Sequence, residues 1–108
     1  WIGDLLIITK ALKDVVVLYK LGYSAIAPQS ESVVISKSFM STLQKRFKKI
    51  VLFYDNDAAG IAGANKNSTL HCIDSIIIPT ELGVKDISDY TKLNGLEKSK
   101  ILLNKLLI

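Results

Sequence analysis

The chain has 108 residues, 49% hydrophobic and 22% charged, with 14 Lys and Arg against 10 Asp and Glu for a formal net charge of +4. A chain of this length builds one core and buries roughly two-thirds of its unfolded surface, so residues 1–108 are expected to fold as a single domain without a disulfide framework or structural metal. Cys72 is the only cysteine and His71 the only histidine, which all but excludes a Cys/His zinc finger, an iron–sulfur cluster and a Cys–His or Ser–His dyad and leaves any chemistry to carboxylates, lysines and backbone.

The basic excess, with a sequence pI near 9.2, suits a polyanionic partner. Arg46 is the only arginine. Lysine meets phosphate as a point charge, so backbone contact is expected rather than base readout. No apolar run approaches the roughly 18 residues of a membrane span, and nothing resembles a signal peptide. A cytoplasmic location with no membrane partner is therefore expected. The chain opens on Trp1 rather than methionine, which suggests a piece of a longer protein.

In chain order, Leu5–Thr9, Ser24–Ala27, Ile50–Tyr54 and Ile73–Ile78 are short apolar runs without alternation, the pattern of parallel strands covered on both faces. Between the first two, Leu12, Val15, Val16 and Tyr19 recur at helical spacing, and Gly22 stands where a left-handed stop belongs. Phe39, Met40, Leu43 and Phe47 repeat the pattern before the third run, and the Lys45–Lys49 cluster reads as a solvated helix end. The third connection, from Ala58 to Leu70, is rich in Ala and Gly. Interior glycine costs a helix about 1 kcal/mol against alanine, so this segment is expected to trade propensity for close approach to the sheet or to a ligand. Lys85–Asn94 reads as a loop and short helix stopped by Gly95, and residues 96–108 as a final amphipathic helix. Strands alternating with helices predict an α/β fold, a doubly wound parallel sheet with right-handed crossovers and helices on both faces.

In such a sheet, ligands bind beyond the carboxyl ends of the strands where strand order reverses. Asp55 and Asp57 flank Asn56 at the end of the third run, where two carboxylates can converge on one hard cation such as Mg²⁺. Asp86 and Asp89 are expected at the same rim and can add to it. The competing reading is that Asp57 and Asp86 cap the helices that follow them. Lys10 leaves the first strand toward a substrate phosphate or these carboxylates, whereas Lys13 reads first as a solvated helix residue and second as a phosphate contact. His71 and Cys72 are read as structural, since neither has a second soft ligand.

From about Leu5 to Gly95 the sequence resembles the Toprim domain, the catalytic module of primases, topoisomerases and some nucleases and recombination proteins. The segment Ile50-Val51-Leu52-Phe53-Tyr54-Asp55-Asn56-Asp57-Ala58-Ala59-Gly60 is similar to the family's hydrophobic strand, Asp-x-Asp pair and following glycine, in a form closest to the primase branch. Lys85-Asp86-Ile87-Ser88-Asp89-Tyr90 is similar to the primase pattern of Lys-Asp with a further acid before a short helix. The first motif, Ile7 to Asp14, keeps Thr9 and the helix aspartate but carries Lys10-Ala11 where the family has Glu-Gly. That glutamate serves the family as acid or base and, in some members, as a metal ligand.

The resemblance implies four parallel strands in the order 2-1-3-4 and a module of a phage- or mobile-element-type DNA primase, a nucleotidyltransferase making RNA primers in DNA replication. It implies Asp55, Asp57, Asp86 and Asp89 as ligands of Mg²⁺ or Mn²⁺, and Lys10, Asp55 and Asp57 as the catalytic set. Lys10, Lys13 and the backbone at Ala58 and Gly60 would meet nucleotide phosphates. The implied partners are nucleoside triphosphates, a single-stranded DNA template, and zinc-binding and helicase domains elsewhere in the parent protein; the domain by itself is expected to have little activity. Lys10 leaves a second reading open, a degenerate module that binds nucleic acid or a partner without chemistry. Nuclease activity is the weakest class, since the expected general base is replaced by Lys10.

Overall fold

A computed structural model describes residues 3–27 and 35–107; Trp1 and Ile108, the ends of the expected domain and final helix, lie outside them. The elements are β1 (Gly3–Thr9), α1 (Leu12–Lys20), β2 (Ser24–Ile26), α2 (Lys37–Arg46), β3 (Phe47–Phe53), α3 (Ala58–His71), β4 (Asp74–Ile76) and α4 (Ile87–Leu107), with a 3₁₀ turn at Thr80–Leu82. All strand pairs are parallel, β1 with β2, β1 with β3 and β3 with β4. The sheet order is β2-β1-β3-β4, as the resemblance implies.

The unalternating runs place side chains on both faces, and each face has its own core. Leu6, Ile8, Ile50, Leu52 and Tyr54 meet Met40 and Leu43 of α2 and Ala64 of α3. Ile7 and Phe53 meet Val15 and Leu18 of α1 and Ile87 and Leu103 of α4. Chain direction reverses about β1 and β3, since β1 leads outward to β2 on one side and β3 to β4 on the other. The crevice beyond their carboxyl ends is therefore the expected ligand position.

Local chemistry sets the helix ends. Past α1, Tyr23 N–H donates to Leu18 O at 2.9 Å and Gly22 N–H to Tyr19 O at 3.0 Å, with Gly22 at a φ of 93°, so the predicted glycine stop is a paired left-handed closure. Ser36 Oγ accepts from Phe39 N–H at 3.2 Å to start α2. Gly95, at a φ of 86°, breaks α4 into the two predicted segments.

Three expectations change. The buried residues of α1 are Asp14, Val15 and Leu18, whereas Leu12, Val16 and Tyr19 are exposed; the helix is rotated from its apolar stripe so that an aspartate faces inward. Phe47, Lys48 and Lys49 belong to β3, because Phe47 pairs with Gly3, where a Cβ would press tightly on its ring at 3.3 Å. Exposed pairs of Lys48 with Asp4 and Lys49 with Asp74 follow from that register. Finally, β4 is a three-residue edge strand with exposed Asp74 and Ser75. Among the described residues no helix is long and apolar enough to cross a membrane.

Candidate metal centre

β3 ends at Phe53, is followed by Tyr54, both buried, and delivers Asp55 to the crevice with 1% of its surface exposed. Two neighbours fix its position. Asp57 caps α3, its Oδ1 accepting from Gly60 N–H at 2.8 Å. Gly60 then lies so close to the Asp55 backbone that a Cβ there would overlap the Asp55 carbonyl oxygen and sit 2.8 Å from its carbon. The close approach expected of the small-residue helix is made to the strand end that carries the acid.

Asn56 ties this strand end to the loop before α4. Its Nδ2 donates to Ile78 O and Val84 O, each at 2.8 Å, and its N–H donates to Lys85 O at 3.1 Å. The loop sets Asp86 at the start of α4, where Oδ1 accepts from Asp89 N–H at 2.9 Å. Capping and site placement, which the sequence posed as alternatives for Asp86, coincide: one oxygen closes the helix and the other faces the crevice.

The third acid is Asp14. The rotation of α1 buries it to 1% exposure, and Ser88 on the first turn of α4 donates to its Oδ1 through Oγ at 2.6 Å and through N–H at 3.3 Å. Carboxylate oxygens of Asp14, Asp55 and Asp86 all lie within 4.8 Å of one another. Asp14 Oδ2, Asp55 Oδ1 and Asp86 Oδ2 are buried without a hydrogen-bond partner. A buried polar atom left unbonded is costly, a charged one more so. The three buried acids present the hard, all-oxygen donor set that suits Mg²⁺ or Mn²⁺, with Asp86 Oδ2 ion-paired to Lys13.

Burial raises the pKa of Asp14 above the ordinary value; the Ser88 bonds oppose this and the nearby Asp86 charge adds to it. Lysines ring the acids. Lys10 Nζ donates to Asp55 Oδ2 at 2.5 Å, Lys85 Nζ stands 3.8 Å from that oxygen, and Lys13 Nζ forms an ion pair with Asp86 Oδ2 at 3.2 Å. That contact with Asp86 is the main cause raising the Lys13 pKa, opposed by desolvation.

The structure thus brings together Asp55, Asp86, Lys10 and Lys13 of the sequence-derived set. It places Asp57 in the cap, with Ala58 exposed beyond it, and Asp89 on the wall of an adjoining cavity of about 560 Å³ lined also by Asn56, Lys85 and Lys92. Sequence reasoning missed Asp14 as a member of the cluster, together with Ser88, which holds it; the preserved helix aspartate of the first motif was the available signal. His71 Nε2 donates to Ile35 O at 2.7 Å and Cys72 is exposed at the end of α3, both outside the cluster.

A sequence profile described as Toprim-like matches residues 7–91. No curated protein matches the chain. The primase fragment of the bacteriophage T7 primase-helicase protein superposes with a TM-score of 0.75 at 17% identity, over 100% of this chain and 46% of that one. A second match is to the structure of the bacteriophage T7 lagging-strand DNA polymerase interacting with primase domains bound to an RNA/DNA hybrid and dTTP. Its TM-score is 0.73 at 16% identity, over 100% of this chain and 56% of that one. These likenesses are of fold, and the chain spans about half the length of the chains it matches.

Proposed function

Since the chain belongs to the Toprim-like family, we propose that it is the metal- and nucleotide-binding module of a DNA primase-like protein, acting in RNA primer synthesis on a single-stranded DNA template. The observation that carries this reading is the convergence of three buried carboxylates, each with an oxygen that lacks a hydrogen bond. The likeness to phage primase domains bound to an RNA/DNA hybrid and dTTP supports nucleotides and nucleic acid as its partners.

In this reading Asp14, Asp55 and Asp86 hold Mg²⁺ or Mn²⁺, which when bound offsets charge on a triphosphate and its leaving pyrophosphate. Ser88 orients Asp14, and Asp57 fixes the turn that aims Asp55. Lys10 supplies a fixed positive charge to the phosphates, Lys13 supports it from the exposed side, and the opening of α3 at Ala58 admits phosphate oxygens to the positive end of a helix. Template binding and initiation belong to other domains of the parent protein, so the chain alone makes little primer.

The test is a Mn²⁺ titration of the chain followed by the electron paramagnetic resonance of the free ion. Saturable binding is expected, weakened about tenfold or more by Asp55→Asn. Absence of binding, or binding indifferent to Asp55, refutes the reading. The contact of Lys10 with Asp55 favours a second reading, a module that binds nucleic acid without chemistry. Its signature is salt-sensitive binding of single-stranded DNA that survives Asp55→Asn.

A further inference from the structure

The net charge of +4 is not spread over the chain. Residues 36–53, from the cap of α2 to the end of β3, carry five of the 14 basic residues, Lys37, Lys45, Arg46, Lys48 and Lys49, and none of the 10 acids. The whole positive excess therefore lies in this one stretch. All five side chains are exposed. Helical spacing puts Ser38, Ser41 and Lys45 opposite the buried Met40 and Leu43, with Lys37 and Arg46 at the borders of that side. Among the described residues no acid pairs with Lys37, Lys45 or Arg46. Lys48 and Lys49 do pair, with Asp4 at 3.4 Å and Asp74 at 3.7 Å, but all four side chains are at least half exposed, and contacts of that kind yield readily to a competing anion.

The ten residues of α2 span about 15 Å and run into β3 at the amino edge of the sheet. Two hollows of about 400 and 260 Å³ open there and share Gln44, Phe47 and Lys48; Lys45 and Arg46 line the first and Lys49 the second. The seven residues of β3 then cover about 20 Å before the chain reaches Asp55. Because α2 packs on the sheet face opposite α1 and α4, this surface is separate from the acidic centre and its lysines.

A row of cations along a helix and a strand suits a polyanion that is itself extended. Lysines meet phosphates as point charges, and serine hydroxyls donate to phosphate oxygens. A membrane surface would ask for apolar residues among the cations, and this side of α2 offers hydroxyls instead. At its border Phe39, seven positions before Arg46 and 49% exposed, presents a π-face on which an unpaired base can stack.

We infer that α2 and the start of β3 form a track for the phosphate backbone of a single-stranded nucleic acid, with Phe39 as the platform for one base. The track takes from the proposed function only nucleic acid as the partner and uses none of Asp14, Asp55 and Asp86.

The experiment follows the anisotropy of a labelled oligothymidylate of about 20 nucleotides on adding the full chain, in EDTA and over a range of salt. Three to five phosphate contacts at about 0.7 each predict a slope of log affinity against log salt of about −2 to −3.5. Lys45→Gln with Arg46→Gln is expected to weaken binding about tenfold or more and to flatten the slope by about 1.4. The same charge removed from α4, by Lys98→Gln with Lys100→Gln, is expected to change affinity less than about twofold. Phe39→Leu is expected to weaken binding about fivefold or more at an unchanged slope; full affinity in that variant overturns the platform. Absent or salt-indifferent binding overturns the track, as does equal loss in the two double variants. Competition by polyglutamate as effective as that by unlabelled oligothymidylate overturns nucleic acid as the ligand. Loss of binding in Asp55→Asn would put the strand at the acids and overturn the track as well. Mn²⁺ binding is expected to be unchanged in Lys45→Gln with Arg46→Gln, so failure of the track and failure of the metal centre are read separately. Circular dichroism of each variant confirms that the fold is retained.

Discussion

Replacing Gly60 with alanine sets two effects of opposite sign against each other. Gly60 is the third residue of α3, where alanine is favoured over glycine by about 1 kcal/mol. Against this, the new Cβ overlaps the carbonyl oxygen of Asp55 and lies 2.8 Å from its carbon and 3.0 Å from its nitrogen. The atoms it meets are backbone, which has no rotamer to escape into, so the cost belongs near the upper end of overpacking, about 3 kcal/mol. The net expectation is a loss of about 2 kcal/mol, which lowers the melting temperature of a domain this size by about 8 °C or more. Relief comes by moving Asp55 away from Asp14 and Asp86, so Mn²⁺ affinity falls about tenfold or more. Thermal unfolding followed by circular dichroism and the Mn²⁺ titration read the two effects separately. A Gly60→Ala chain that melts at or above the parent temperature and binds Mn²⁺ normally would show that helix propensity governs this position, and would refute the close-approach argument.

Asn56→Ala leaves the carbonyls of Ile78 and Val84 without their donor; a loss of about 1–3 kcal/mol is expected, with faster amide exchange over residues 79–86, and unchanged exchange there would contradict the clamp. Burial raises the pKa of Asp14, with Asp86 adding and Ser88 opposing. An acid with a raised folded pKa contributes stability below its unfolded pKa that is lost as pH rises through the folded one. Without added metal, the stability of Asp14→Asn relative to the parent is therefore expected to increase with pH above the ordinary aspartate range and then level off, and parallel melting curves against pH would count against it. Cys72 ends α3 at a φ of 55°, a region that favours glycine, so Cys72→Gly is expected to stabilise by about 0.5–1 kcal/mol in urea unfolding; a destabilised variant would mean that the Sγ contact with Thr69 O outweighs the backbone.

Much of the fold was legible because buried parallel strands announce themselves. Residues 5–9 and 50–54 are apolar without alternation, and both proved to be central strands with cores on each side. Gly22 and Gly95 were read correctly as stops because a left-handed residue leaves a mark in the amino-acid choice itself. The phase of α1 was not legible. The stripe read from the sequence runs through Leu12, Val15, Val16 and Tyr19, of which only Val15 is buried in the structure. Polarity alone gives no reason to bury an aspartate, yet Asp14 is 1% exposed. The inward turn of Asp14 accounts both for the shifted helix face and for its absence from the acidic set read from the sequence.

The sequence by itself determined the parallel sheet and the placing of Asp55 at the carboxyl-end rim of its strands, because each follows from local patterning and from general rules of connection in α/β sheets. Only the tertiary structure decided which acids converge there. Asp14 and Ser88 are 74 positions apart and meet because α1 and α4 pack on the same face of the sheet, an outcome of helix rotation that no short window encodes. The charge balance was hidden for the same reason. The net +4 of the chain says nothing of Lys10 and Lys85 drawn onto Asp55 and Lys13 onto Asp86, since counting charges requires no distances and pairing them does.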